Sequence, residues 1–89
     1  MMKKINTLKI EGRRWFQKSY GNTYHSVTVY VNDEVLRKDF EYGYGNQYLQ
    51  TAIELLQANG YNDIKTFSDL RAIPNFIEGV VDVQRKKDL

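Results

Sequence analysis

The sequence predicts an α+β domain: a three-stranded antiparallel meander, one helix packed on one face, and a fourth strand near the C-terminal end, in the order β-β-β-α-β. Three observations carry this. Val27, Val29 and Val31 alternate with Thr28 and Tyr30, the period-two pattern of a half-buried strand. Leu49, Ala52, Ile53 and Leu56 recur at i, i+3, i+4 and i+7, one stripe of a helix. A β-branched run, Ile77 to Val83, then follows the helix. With 89 residues the chain builds one core, so residues 1–89 are read as one domain.

The first strand spans residues 7–17. Leu8 and Ile10 alternate with Lys9 and Glu11, and Gly12 then interrupts the pattern as a β-bulge would. Past that slip Trp15 and Phe16 point to opposite sides, and at least one ring is expected to close the end of the core. Gly21 and Asn22 suit the positive φ of a tight connection. The second strand, residues 23–32, is the clearest, with Tyr24, Ser26, Thr28 and Tyr30 opposite the valines. After the turn Asn32-Asp33-Glu34, a third strand runs from Val35 to Phe40, with Leu36 and Phe40 inward and Val35, Arg37 and Asp39 outward. One face is therefore buried and the other open.

Asn46 is placed to cap the helix, which runs from Gln47 to Asn59. Gly60 supplies the left-handed residue beyond its end, with Tyr61 folding back as in a Schellman motif. Ser68 to Arg71 begins a short helical turn ended by Pro74. Residues 76–85 read as the last strand, with Ile77, Val81 and Val83 on one side and Asp82 and Gln84 on the other. Lys86-Lys87-Asp88-Leu89 is expected to fray. A helical crossover makes the fourth strand parallel to the first, and the right-handed rule places it beside the first, in spatial order 3-2-1-4.

Composition excludes several chemistries. The chain has no cysteine, so disulfides, thiolate metal sites and cysteine nucleophiles are absent. A disulfide-free domain fits the cytoplasm, and the basic start Met1–Lys4 leads into no apolar segment of a signal peptide. No apolar run approaches the roughly 20 residues that span a membrane, so no membrane partner is expected. His25 is the one histidine, and its neighbour Ser26 points to the opposite face of the strand, so the pair cannot act as base and nucleophile. His25 reads as a hydrogen-bonded residue at the core's edge. The carboxylates are scattered and lack the spacing of a calcium loop. Gly43-Tyr44-Gly45-Asn46 enters the helix as a tight turn; Tyr48 stands where a dinucleotide fingerprint needs glycine. No cofactor, metal or catalytic site is expected, and the protein is read as a non-enzyme.

Charge and aromatics point to a binding role. Residues 1–30 hold six cations against the single carboxylate of Glu11, whereas residues 31–65 hold three cations against six carboxylates. Such asymmetry suits an acidic partner for the first third of the chain. Four aromatics and three cations are interleaved between Arg13 and Tyr24. Rings that stack on bases beside cations that hold phosphates suit single-stranded nucleic acid. The same residue types also make protein interfaces, including a homodimer. Lys9, Arg13, Arg14, Trp15, Lys18, Tyr20, Tyr24 and Tyr30 are the candidate binding residues. Lys9, Arg13, Trp15, Tyr24 and Tyr30 share the open face if the Gly12 bulge turns Trp15 outward.

The segments GRRWFQKSYGNTYHSVTVYV, YGYGNQYLQTA and VVDVQRKKDL resemble small uncharacterised proteins of bacteriophages and prophages. The resemblance covers most of the chain and implies a phage origin in a host cytoplasm. It carries no activity or site residue with it.

Overall fold

The computed structural model describes residues 5–62, 64–73 and 75–89. Its elements are β1 (Leu8–Gln17), β2 (Asn22–Val31), β3 (Glu34–Tyr42), α1 (Gln47–Ala58), α2 (Phe67–Arg71), β4 (Phe76–Val83) and a 3-10 turn at Lys86–Asp88. They form one four-stranded sheet in the order β3-β2-β1-β4. β1–β2 and β2–β3 pair antiparallel and β4 runs parallel to β1. Class and strand order are those the sequence predicts.

α1 packs across β2, with β1 and β3 to either side. Leu8, Ile10, Val27, Val29 and Val31 from the sheet meet Leu49, Ala52, Ile53 and Leu56 from the helix, all essentially buried. Each of these valine, leucine and isoleucine side chains withdrawn from water contributes about 1.5–3 kcal/mol before entropy is counted, and Ala52 less. Tyr48, Tyr61, Ile64 and Leu70 extend this core toward the helix ends. Gly60 ends α1 at φ 97°, and the Tyr61 amide bonds back to the Leu56 carbonyl at 2.9 Å, the Schellman arrangement expected. The Tyr61 hydroxyl donates to Glu34 at 2.6 Å, tying the helix end to the start of β3; burial first, then this bond, raises the phenol pKa.

Several local expectations are corrected. No bulge occurs at Gly12, since β1 pairs with β2 in unbroken register from Leu8 to Gln17. Glycine stands there because the Tyr48 ring lies on it: a Cβ at position 12 would meet Tyr48 Cδ2 at 2.6 Å. The register shift lies between β2 and β3, where His25 pairs with Glu41 but Val27 with Lys38. Asp39 and Phe40 thus oppose Ser26 alone. This bulge turns Phe40, expected inward, onto the open face beside Tyr24. Neither Trp15 nor Phe16 closes the core: Phe16 lies past the helix and is exposed, and Trp15 is half-buried on the open face. Asn46 occupies the N-cap position of α1 but its side chain makes no cap bond. The tail expected to fray folds into the 3-10 turn.

α2 starts one residue earlier than expected and is capped by Thr66, whose hydroxyl accepts from the Asp69 amide while Asp69 accepts from Thr66. Pro74, expected to end it, and the Met1–Lys4 start lie outside the described residues. Backbone N–H groups of Lys65 and then Thr66 hold the Asp69 carboxyl below its ordinary value of 3.8. Because the folded value is the lower one, this cap is complete above the ordinary value and is lost only as pH falls through the folded one. In an NMR titration the Lys65 and Thr66 amides are expected to shift below the pH at which a free aspartate titrates.

Candidate functional site

Strand alternation sorts the side chains into two faces. With Leu8, Ile10 and Gly12 buried under α1, Lys9, Glu11, Arg13 and Trp15 project from the other side of β1. Their register partners on β2 are Tyr30, Thr28, Ser26 and Tyr24. In parallel register, Ile77, Gly79, Val81 and Val83 of β4 lie beside these β1 residues, while Phe76 and Val80 pack on the core. The apolar side of β4 identified in the sequence therefore faces outward, and Val81 is 61% exposed.

The structure brings together Lys9, Arg13, Trp15, Tyr24 and Tyr30 on this open face, without the bulge the sequence reading required. Arg14 is on the helix side, where its guanidinium bonds Asp82 at 2.8 Å and the Gly45 carbonyl at 3.2 Å. Lys18 and Tyr20 lie in the exposed β1–β2 turn, away from the face. Phe40, Tyr42, Ile77 and Val81 join the site unanticipated. The alternation of Ile77 and Val81 was visible, but only register with β1 shows which side of the sheet they occupy.

The rings form a row across three strands. Trp15 stacks on Tyr24 at a centroid distance of 5.9 Å, Tyr24 stacks on Phe40 at 4.6 Å, and Tyr42 meets Tyr24 edge-on. Both faces of Tyr24 are thereby covered by neighbouring rings. The Lys86 ammonium lies over Phe40, 4.8 Å from its centroid. Lys86 belongs to the C-terminal turn, which lies against this face: Arg13 donates to the Asp88 carbonyl at 3.0 Å and Arg37 to that of Leu89 at 3.2 Å. The cations are also engaged with carboxylates, as Lys9 with Glu11, Arg37 with Asp39 and Arg85 with Asp88. The hydrogen bond between Lys9 and Glu11 raises the ammonium pKa and lowers that of the carboxyl, so each holds the other charged.

His25 faces α1 and is fully buried. Nδ1 lies 3.2 Å from the Gly43 carbonyl, which only accepts, so in the neutral ring Nδ1–H donates there and Nε2 accepts from the Thr51 hydroxyl at 2.7 Å. Both nitrogens are engaged and neither reaches solvent. The groove lined by Tyr42, Gly43, Tyr44, Asn46, Gln47 and Phe67 presents phenols and amides, with no carboxylate, imidazole or amine on its wall. Among the described residues no three His, Asp or Glu side chains cluster as metal ligands. None of the helices described there is long and apolar enough to cross a membrane.

Comparison of the chain with protein-family profiles, with curated proteins and with solved structures gives no match.

Proposed function

We propose that the domain is a non-catalytic binding module that recognises another protein through the open face of its sheet. The observation carrying this reading is how the face divides its chemistry. Tyr24 is covered by rings on both sides, Lys9, Arg37 and Arg85 are paired with carboxylates, and Arg13 is held on the Asp88 carbonyl, whereas Ile77, Val81, Phe40 and Tyr42 remain exposed around them. Apolar surface with aromatic anchors, bordered by charges of both signs, suits a protein partner. A single-stranded nucleic acid instead needs free ring faces and unpaired cations. The resemblance to phage proteins points to a host or phage protein as that partner, met in the host cytoplasm.

Affinity capture from host lysate tests the reading. The wild-type chain is expected to retain a partner, and Phe40→Ala and Val81→Glu to lose it by about tenfold or more. Glu54→Lys, on the solvent side of α1, is expected to retain it. Equal capture by all four proteins would move the interface off this face.

A further inference from the structure

β4 forms one edge of the sheet and β3 the other. The two edges differ. β3 carries Arg37, Lys38 and Asp39 and is broken by the bulge opposite Ser26, features that discourage a further strand from pairing. β4 pairs with β1 without interruption over eight residues, Phe76 to Val83, with no lysine, arginine or proline among them. Half of its backbone N–H and C=O groups point away from β1, since alternate residues of a parallel strand bond to opposite sides.

Gly79 lies mid-strand, and nothing inside the protomer demands a glycine there. Its φ lies outside the left-handed region, and a Cβ would meet no atom within 4 Å. From these features we propose that β4 pairs antiparallel with β4 of a second copy, about a two-fold axis through Gly79.

Side-chain chemistry selects that register. Directly opposed residues of an antiparallel pair share a face, so the axis must pass through a residue. With the axis at Gly79, Ile77 meets the second copy's Val81 on the open face, twice by symmetry, and glycine leaves room for these branched side chains to close over the axis. On the helix side Glu78 meets Val80 and Asp82 meets Phe76, so no like charges are opposed. An axis at Glu78 would oppose two glutamates, and one at Val80 would oppose Glu78 to Asp82. An axis at Val81 would carry the pairing into Gln84 and Arg85, past the end of the strand. The result is a continuous eight-stranded sheet with both helices on one side. Ile77 and Val81 belong to both surfaces, so the two are read out separately: the mass of the purified protein reports self-association, and loss of capture in Phe40→Ala, on the far edge strand β3, reports the face.

The cysteine-free chain makes the register testable. Light scattering of the wild type is expected to give twice the 10.5 kDa chain mass at high micromolar protein. Gly79→Cys, at a site with open space, is expected to form a covalent dimer with a short thiol-reactive cross-linker. Ile77→Cys alone is expected not to, because two copies of residue 77 would stand about 13 Å apart along the strands, at roughly 3.3 Å per residue. The double variant Ile77→Cys/Val81→Cys is expected to cross-link. A wild type that stays monomeric across the concentration range, or cross-linking through Ile77→Cys but not Gly79→Cys, overturns the proposal.

Discussion

Replacing His25 with alanine is expected to destabilise the fold by about 3–5 kcal/mol, a large share of what a domain of this size holds in reserve. The imidazole bridges the Gly43 carbonyl, where β3 gives way to α1, to the Thr51 hydroxyl on the buried side of α1. Truncation opens a cavity and strands two polar groups in a region without water access. Urea unfolding measures the loss. Thr51→Val supplies the matching half of a double-mutant cycle: the double variant is expected to cost clearly less than the two single losses added together. Additive losses would show that the bridge contributes nothing of its own and that His25 acts through packing alone.

Gly12→Val is expected to cost about 3 kcal/mol, and Gly12→Ala somewhat less. The added carbon lands on the Tyr48 ring, 2.6 Å from Cδ2 and 2.9 Å from Cγ. That ring is buried between β1 and the start of α1, and its burial is the first cause of the raised Tyr48 pKa. It cannot swing aside as the end of a flexible side chain would. Shortening the ring separates the explanations. In a Tyr48→Ala background, Gly12→Ala is expected to cost little. An undiminished cost there would assign the glycine to backbone conformation, although Gly12 is not among the glycines with positive φ.

These two residues also show what the sequence can convey. The helix stripe, the valine alternation of β2 and the Gly60 stop are local signals, and each specifies its element. Gly12 carried the opposite risk. A glycine inside a strand signals a bulge or a close approach, and only the packing of Tyr48, 36 residues away, decides between them. The true bulge in β3 has no glycine to mark it, so strict alternation alone puts Phe40 on the wrong face. On β4 the apolar alternation was legible but its direction was not, because side depends on register with β1. Of the candidate binding residues, those on β1 and β2 follow from alternation once Leu8 and Val27 are known to face inward. Arg14 fell to the other side by the same rule and is held there by Asp82.

Trp15, the one tryptophan of the chain, stands at the end of the ring row and makes the open face its own reporter. The most direct measurement is its fluorescence during titration with single-stranded DNA and RNA at low salt, beside titration with a partner obtained by capture. The protein-binding reading expects no change with either oligonucleotide up to tens of micromolar, and a blue shift with the partner as the indole loses water. A saturable, salt-sensitive quench by oligonucleotide, with no response to the protein, would contradict it and return the face to nucleic acid.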